Sequence, residues 1–332
     1  METLRIWDSV RIGLRGRQKT KSSGLVFYFR VWQTERVVPH EKSPRCLVCA
    51  SQEVDLRYAI TRFEVLSCQA CSQIFLDPLL EPDEVRELFS SLYTVGEGSV
   101  PELKDYYSYC FDDTPENPLV QQYEVWLDQV EAVKAPGRVL DVGCGTGLFL
   151  AVAQRRGWEP YGIDESHEAT EHARNHFDLD PWVGEFETFV SSDLTFDLVT
   201  GWDVIEHSRD PVGLMQNVRS RLAPEGVVAI STPNQESILD LIGGLIYRLS
   251  GERITKPLEK FYIDQHFLYF TSSTLRQCLV RAGLEVFSEK QEKTDLRRLT
   301  LSPASRVLLE SMFIAARILH RENRLFALAR SI

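Results

Sequence analysis

The sequence predicts an α/β protein in which a parallel sheet, with helices on both faces, follows a small cysteine-bearing module. From residue 138 onwards, short apolar segments alternate with amphipathic helical segments, the pattern of a parallel sheet covered on both faces. A glycine-rich turn at 143–147 follows the first of these strands. Two Cys-x-x-Cys pairs precede the sheet within residues 45–77. A length of 332 residues agrees with a division into at least two domains.

The distribution of charge argues against one class of substrate. The formal net charge is −11, yet residues 1–40 carry 8 Lys or Arg against 3 Asp or Glu, and residues 281–332 carry 10 against 6. Residues 41–280 carry 19 against 39. This acidic centre would repel a phosphate backbone, so a nucleic acid is disfavoured as substrate. The basic ends would either contact an anionic membrane surface or remain solvated.

Hydropathy and cysteine usage indicate the compartment. No run of about 18 apolar residues predicts a transmembrane helix. The first 25 residues are basic and lack the apolar block of a signal peptide. Four of the seven cysteines stand in two close pairs, which favours a metal site in a reducing compartment over a disulfide framework. We therefore expect a cytoplasmic protein.

These patterns divide the chain into four parts. They are a basic N-terminal extension (1–40), the cysteine module (41–80), a helical cap or linker (81–134) and the sheet domain (135–332), which carries a lid insertion at 235–265. The linker begins with Glu81-Pro-Asp-Glu84, and acids in a first turn are typical of a helix N-terminus. Pro118 begins a second predicted helix, which ends before the break at Ala135-Pro-Gly137.

Within the sheet domain, the apolar pattern predicts each element in turn. Strands are predicted at 138–142, 159–163, 181–184, 196–200 and 226–231, with helices between them and a turn at Pro224-Glu-Gly226 before the fifth strand. The remaining elements are a helix at 271–282 ended by Gly283, a strand at 284–288, a helix from 302 to 319 and a strand at 325–329.

The glycine turn and two acids predict a nucleotide-type site. Glycines let the backbone pass close under a ligand, because no Cβ intervenes and a positive φ costs little. Asp141 stands at the end of the first strand, where open parallel sheets bind ligands. Asp164 ends the second strand, at the position where an acid accepts both ribose hydroxyls of an adenosine ligand. Glu185 and Phe186, after the third strand, are placed to meet an adenine ring.

A second group of polar residues follows the fourth strand and supports two hypotheses. Asp203, Glu206 and His207 lie after that strand, and His266 comes 59 residues after His207. In the first hypothesis, His207 or His266 is a general base, because an imidazole takes an alcohol proton near neutral pH. In the second, the four residues bind a divalent cation that lowers the pKa of substrate oxygens. The structural alternative is that Glu206 and His207 only hold the loop.

The cysteine spacing predicts a zinc site. Cys46, Cys49, Cys68 and Cys71 form a C-x2-C-x18-C-x2-C pattern, which is typical of four thiolates around one structural zinc ion. Such a site stabilises a module too small to build its own core. The alternative, two redox-active pairs, lacks the βαβ context of such motifs.

The motifs in this order resemble those of class I S-adenosylmethionine-dependent methyltransferases. The resemblance rests on Val139–Phe149, Asp164, Phe196–Thr200 and Leu222–Ile230, and it covers about residues 118–332. It implies a Rossmann-like seven-stranded sheet with an antiparallel last strand, and S-adenosylmethionine as cofactor. It also implies that the cofactor contacts the following residues: Asp141, Gly143, Cys144, Gly145, Gly147, Asp164, Glu185, Phe186 and Trp202. A solvated loop position for Glu185 and core packing for Trp202 are the alternatives.

Two narrower resemblances concern the metal and the cysteines. The pattern of Asp203, Glu206 and His207 with the later His266 is similar to the metal site of plant small-RNA 2′-O-methyltransferases and ubiquinone-pathway O-methyltransferases, which implies Mg²⁺. This chain has Asp203 where those enzymes have Glu, so the fourth ligand is in doubt. A cysteine module with the tail Cys71–Pro78 resembles bacterial methyltransferases that act on sugars, glycans and natural products.

These observations predict a methyltransferase that transfers a methyl group to oxygen on a small-molecule, glycan or lipid-linked acceptor. The apolar segments 238–249 and 304–319 favour a greasy acceptor or peripheral membrane contact, and their alternative is a core helix or a dimer interface. Two other functions remain open. One is an RNA methyltransferase guided by the cysteine module, and the other is a catalytically inactive scaffold that binds the cofactor.

Overall fold

The computed structural model of the chain describes residues 44–93, 107–189 and 194–332. The predicted extension at 1–40 lies outside the described residues. The strands are β1 (Val54–Ala59), β2 (Glu64–Cys68), β3 (Ile74–Asp77), β4 (Arg138–Val142), β5 (Glu159–Asp164), β6 (Trp182–Val183), β7 (Phe196–Trp202), β8 (Leu222–Pro233), β9 (Leu268–Tyr269), β10 (Leu284–Glu292) and β11 (Arg324–Ser331). The helices are α1 (Pro82–Tyr93), α2 (Pro118–Glu131), α3 (Leu148–Arg155), α4 (His167–Phe177), α5 (Pro211–Ser220), α6 (Ile238–Leu249), α7 (Lys256–Glu259), α8 (Ser272–Arg281) and α9 (Pro303–Ile318).

Seven strands form the main sheet, and their order confirms the predicted fold class. The order is β10-β11-β8-β7-β4-β5-β6. The five strands from β4 to β8 are mutually parallel, whereas β11 runs antiparallel to both β8 and β10. The last strand, β11, lies between β8 and β10. After α9 the chain therefore returns to the sheet and fills the position between two earlier strands. Buried apolar side chains pack on both faces of this sheet, as the near-continuous apolar strands require.

The strand β8 corrects one prediction about a turn. The segment Pro224-Glu-Gly226 was expected to precede the strand, but the strand begins at Leu222 and passes through this segment. Glu225 has φ of 60°, and the pairing with β7 jumps from Leu222 opposite Phe196 to Val227 opposite Leu198. The turn residues are therefore accommodated as an irregularity within the strand.

The cysteine module forms a second sheet that also takes in a strand from the later part of the chain. Strands β1, β2 and β3 pair antiparallel, and β9 pairs with the free edge of β3. β9 is only two residues long and belongs to the segment after the 235–265 insertion. No sequence pattern predicted this strand, since a two-residue element has no detectable period.

The 235–265 insertion packs against the cysteine module. Arg57 on β1 forms an ion pair of 2.9 Å with Asp240 on α6. The backbone N–H of Ala59 donates to the hydroxyl of Tyr247 at 3.2 Å, and the ring of Tyr58 lies edge-on to Tyr247 at 5.3 Å. α6 and α7 therefore buttress the small sheet.

The two apolar segments are only partly used in the core. On α6, Leu245 and Leu249 are 55% and 79% exposed, and on α9 the side chains of Ile314 and Ile318 are also exposed. Core packing therefore does not account for these side chains. Among the described residues, no helix combines the length and apolar composition that a membrane span requires.

The inserted strand β11 should carry much of the stability. Leu325 on β11 is fully buried, so Leu325→Ala should lower the free energy of unfolding by about 2–5 kcal/mol through lost burial and the cavity left behind. The matched change Leu245→Ala, at a half-exposed position on α6, should change it by less than about 0.5 kcal/mol. Urea unfolding of both variants measures the difference. Equal losses would contradict the central position of β11.

Candidate active site

The chain turns sharply where β4 ends. Gly143, Gly145 and Gly147 have φ of +70°, +52° and +81°. The N–H groups of Gly143 and Cys144 both donate to the carbonyl of Ile163 on β5, at 2.8 and 3.0 Å. A Cβ on Gly143 would lie 2.7 Å from Val204 Cγ2. Both the backbone angles and the close approach therefore require glycine here.

Asp164 ties this turn to the end of β5. Its Oδ2 accepts a hydrogen bond from the N–H of Gly145 at 2.8 Å, and its Oδ1 accepts one from the N–H of Ser166 at 2.8 Å. Burial raises the pKa of Asp164, and these two N–H donors oppose that rise. Each carboxylate oxygen keeps a further lone pair, so the group can hold the turn and still accept from a ligand.

Asp141 is the most deeply buried acid beside the turn. Thr200 on the neighbouring strand β7 donates its hydroxyl to Asp141 Oδ1 at 2.5 Å. Burial raises the pKa of Asp141 to about 7, while the Thr200 hydrogen bond acts in the opposite direction. At neutral pH this carboxyl is therefore close to its point of ionisation, and a nearby cation would favour the ionised form.

Two adjoining cavities open at this edge of the sheet. The first has a volume of about 510 Å³ and is lined by Asp141, Gly143, Cys144, Gly145, Asp164 and Trp202, among other residues. The second, of about 420 Å³, is lined by Glu185 and Phe186. Gly143, Asp164 and His207 line both. The structure therefore brings most of the predicted cofactor residues together around two cavities that share part of their lining.

Gly147 is the predicted cofactor residue that lines neither cavity. It precedes α3, and a Cβ at this position would lie 2.8 Å from Ala173 Cβ and 2.9 Å from Leu179 Cδ1. Its lack of a side chain therefore allows the start of α3 to pack closely against α4 and the loop after it. None of the residues 235–265 lines either cavity, so the predicted lid braces the cysteine module in this arrangement.

Aromatic residues form one wall of the first cavity. The ring of Trp202 stacks on Trp126 of α2 at 4.5 Å with an interplanar angle of 22°, and Tyr123 also lines this wall. Trp126 is oriented by a 2.7 Å hydrogen bond from its Nε1 to Glu292 on β10. The Nε1 of Trp202 is buried and has no hydrogen-bond partner among the described residues. The wall thus offers flat apolar surface.

Glu206, His207 and His266 lie together, and we call them the reaction cluster. Of these three, His207 lines both cavities, whereas Glu206 and His266 line neither. The potential ligand atoms of all three lie within 4.8 Å of one another. The Nδ1 of His207 is 2.6 Å from the carbonyl oxygen of Gln265, to which it donates. This bond fixes the tautomer, so the lone pair of a neutral His207 lies on Nε2. Phe89 of α1 packs edge-on against the His207 ring at 5.0 Å.

Burial controls the protonation of the reaction cluster. Glu206 is 0% exposed, and its pKa is raised to about 8 by burial and then by the negative charge of Asp203. Its Oε2 accepts from the Thr232 hydroxyl at 2.9 Å, but its Oε1 is buried and has no partner in the part of the chain that the structure describes. Burial lowers the pKa of His207, and burial together with the neighbouring His207 lowers the pKa of His266 further. Both imidazoles are therefore neutral near pH 7.

Asp203 does not belong to this cluster in the structure. Its carboxylate forms an ion pair of 2.5 Å with Arg324 on β11. The group of possible metal ligands contains Glu206, His207 and His266 but not Asp203. Arg324 therefore holds the short Asp203 side chain away from the cluster. This agrees with the sequence analysis, in which an Asp in place of the usual Glu put the fourth metal ligand in doubt.

The four cysteines of the module converge as the spacing predicts. The Sγ atoms of Cys46 and Cys71 are 3.5 Å apart, as are those of Cys49 and Cys68. All four Sγ atoms lie within 4.8 Å of one another, and none forms a disulfide. Four thiols this close match the donor set of a tetrahedral zinc site.

Comparison with known proteins defines the family. Residues 121–289 match a methyltransferase domain, about half of the chain. The ubiquinone biosynthesis O-methyltransferase of Neisseria meningitidis serogroup C is 30% identical over 215 residues, which cover 60% of this chain and 86% of that protein. The enzyme of the same name from Xanthomonas campestris pv. campestris strain B100 is 37% identical over 131 residues, or 37% of this chain and 55% of that protein.

The chain therefore belongs to the methyltransferase domain family. It spans about half the length of several of the curated relatives that it matches. Among solved structures, magnesium protoporphyrin IX methyltransferase from Synechocystis PCC 6803 with bound SAH aligns with 76% of this chain and with 100% of its own length. The identity is 15% and the TM-score is 0.49.

No sequence motif predicted several of the residues that lie at the site. Trp126 and Tyr123 stand on a helix that was expected only to lead into the sheet, and Phe89 lies on α1. Arg324 reaches Asp203 from 121 residues away. Aromatic residues on a helix face ordinarily indicate core packing, so only the three-dimensional structure assigns these side chains to the cavity wall.

The glycine turn makes a testable claim about Gly143. Gly143→Ala should destabilise the fold by about 1–2 kcal/mol from a positive φ and by a further 1–3 kcal/mol from contact with Val204. Gly157→Ala is the matched control, because Gly157 has φ of +92° and open space around its Cβ position. Thermal unfolding separates the two terms. Equal destabilisation would show that Val204 does not constrain the turn.

Proposed function

We propose that the protein is an S-adenosylmethionine-dependent O-methyltransferase. The observation that carries the proposal is that a single cavity is lined by the glycine turn, by Asp141 and Asp164, and by His207 of the reaction cluster. Family membership supports the same conclusion. The relatives named above methylate oxygen according to their names, which favours oxygen as the acceptor atom here.

The residues present fit the cofactor. A cavity of about 510 Å³ is of the size that small-molecule sites have. Gly143 and Gly145 line this cavity, and their lack of a side chain lets a ligand approach the backbone of the turn closely. We assign Asp164 to the ribose hydroxyls, Asp141 with Gly143, Cys144 and Gly145 to the methionine part, and Glu185 with Phe186 to the adenine. A cationic ligand would favour the ionised form of Asp141, whose carboxyl is otherwise poorly solvated.

The protein's own contribution is orientation and proton removal. When bound, S-adenosylmethionine supplies an activated methyl group, so placing the acceptor oxygen in line provides much of the rate. The Trp126–Trp202 wall would bind the apolar or planar part of the acceptor. His207 presents the lone pair of Nε2, and this atom would take the proton of the acceptor hydroxyl. Burial lowers the pKa of His207, so the imidazole is neutral and able to accept this proton.

A divalent cation in the reaction cluster is a second candidate role, favoured by the unpartnered Oε1 of the buried Glu206. Two imidazoles and one carboxylate suit first-row transition ions better than Mg²⁺, which prefers oxygen ligands. Such an ion would lower the pKa of an acceptor hydroxyl. Mn²⁺ titration followed by electron paramagnetic resonance tests this role. Binding that His266→Ala abolishes would support it, and no binding to the unaltered protein would exclude it for Mn²⁺.

We also propose a structural zinc ion at Cys46, Cys49, Cys68 and Cys71. The convergence of four thiols supports it. A closed four-thiolate shell leaves no position for substrate, so the ion would stabilise the small sheet. A thiolate site and free thiols suit a reducing compartment, and we propose that the protein acts in the cytoplasm.

Zinc content tests the metal assignment directly. The purified protein should contain one zinc ion per chain by elemental analysis, and Cys68→Ala should lose it because three thiolates remain. Cys278→Ala is the matched control, since Cys278 is a buried thiol outside the group and its removal should leave zinc in place. Zinc-free unaltered protein, purified without chelators, would refute the assignment.

Cofactor affinity tests the assignment of Asp164. Asp164→Ala should weaken S-adenosylmethionine binding about 10- to 100-fold, because hydrogen bonds involving a charged group contribute about 1.5–3 kcal/mol. Asp180→Ala, at an exposed acid after α4, should leave affinity unchanged. Isothermal titration calorimetry measures both. Unchanged affinity in Asp164→Ala, with the fold intact by circular dichroism, would contradict the ribose assignment.

Methyl transfer to a fractionated cell extract tests the function and names the acceptor class. The protein is incubated with methyl-labelled S-adenosylmethionine and with lipid, small-polar or macromolecular fractions, beside Asp164→Ala as control. Label in the small-polar or lipid fraction would support a small-molecule, glycan or lipid-linked acceptor. Label in RNA would instead establish a nucleic-acid methyltransferase. Tight cofactor binding without transfer to any fraction would favour a binding scaffold.

A further inference from the structure

The cysteine module is joined to the reaction cluster by a continuous sheet. Strand β3 begins three residues after Cys71, and it pairs with β9 through Ile74 opposite Tyr269 and Phe75 opposite Leu268. Gln73 reinforces the junction from a fully buried position, because its Nε2 donates to the carbonyl of Tyr269 at 3.0 Å. The pairing extends one residue further, since the N–H of Leu76 donates to the carbonyl of Phe267 at 3.1 Å.

The same segment holds the reaction cluster from its other side. His266 immediately precedes Phe267, whose N–H donates to the carbonyl of Glu206 at 2.8 Å. Gln265, which immediately precedes His266, accepts the hydrogen bond from His207 at 2.6 Å. Both neighbours of His266 are therefore bonded to the Glu206–His207 turn. The position of all three members depends on where the 265–267 backbone lies.

Side chains add two further links between the module and this segment. Arg62, in the loop between β1 and β2, forms an ion pair of 2.6 Å with Asp264. Phe75 belongs to the same buried apolar cluster as Ile205 and Phe267, and Cys46 and Cys71 are members of it too. A domain that only recruited a substrate would be expected to meet its neighbour across a separate polar interface. Here the apolar side chains of the cysteine module and those beside the reaction cluster belong to one continuous core.

We propose that the cysteine module is a positioning element of the active site, in which Gln73 fixes β9 and thereby sets the places of His266 and His207. The inference rests on the function proposed above. It assigns the module a role in the transfer step and not only in the stability of its own sheet. Gln73 touches neither cavity, so it acts through β9.

The variant Gln73→Met tests this role. Methionine keeps the length and apolar volume of the side chain but cannot donate to Tyr269, and it also removes the Gln73 Oε1, which is buried without a partner. The same change also removes the donor to the buried carbonyl of Ile74, so circular dichroism first checks that the variant is folded. Gln69→Met is the matched control, because Gln69 lies in the same module but donates to the exposed Asp55. Three quantities are measured. They are kcat, taken as the rate of methyl transfer to the extract fraction that the unaltered protein labels, the S-adenosylmethionine Kd, and the ring carbon-bound proton signals of the histidines by NMR.

The expected result separates positioning from general damage. In Gln73→Met, kcat should fall about tenfold because the catalytic groups are misplaced, while the Kd stays within about twofold. The NMR signals of His207 and His266 should shift, and those of His167 and His176, on α4, should not. Gln69→Met should match the unaltered protein in all three quantities. Unmoved His207 and His266 signals, or a loss of S-adenosylmethionine affinity as large as the loss of kcat, would overturn the inference. Shifted signals in a protein that transfers no methyl group would uphold the positioning and refute the proposed function instead.

Discussion

The backbone of residues 265–267 is held from two sides, and the candidate site depends on this arrangement. On one side it bonds to β3 of the cysteine module, and on the other to the Glu206–His207 turn that follows β7. The main sheet alone provides the glycine turn and Asp164, which is enough to define a cofactor cradle. The reaction cluster needs both sheets, because His266 comes from the segment that joins them.

Buried acids dominate the electrostatics of this edge of the sheet. Asp141, Asp164 and Glu206 all have a raised pKa, with burial as the largest cause in each. Each is held by donors on neighbouring strands or turns, such as Thr200 for Asp141 and Thr232 for Glu206. Burying an acid costs free energy unless a partner compensates, so a site of this kind favours cationic groups in its ligand.

The sequence predicted the parts of the fold that local pattern determines. β4 has the predicted bounds, and the turn after it needs glycine for reasons that the sequence already shows. The sequence did not predict β9, because two residues carry no period, or the ion pair between Arg324 and Asp203, because it joins distant segments. The spacing of the cysteines predicted that the four thiols converge. It did not predict that β9 would join the cysteine module to the segment that contains His266. Long-range pairing is set by the whole fold and leaves little trace in a single sequence.

Hydrogen exchange after zinc chelation tests most directly whether the two sheets act as one unit. Mass spectrometry would follow backbone amide protection in the cysteine module, in residues 263–270 and in the main-sheet strands β4, β5 and β7, with and without a strong chelator. The account predicts that the module and residues 263–270 lose protection together, while β4, β5 and β7 keep theirs, since foldons open as cooperative units. Retained protection of 263–270 after the module has opened would contradict it.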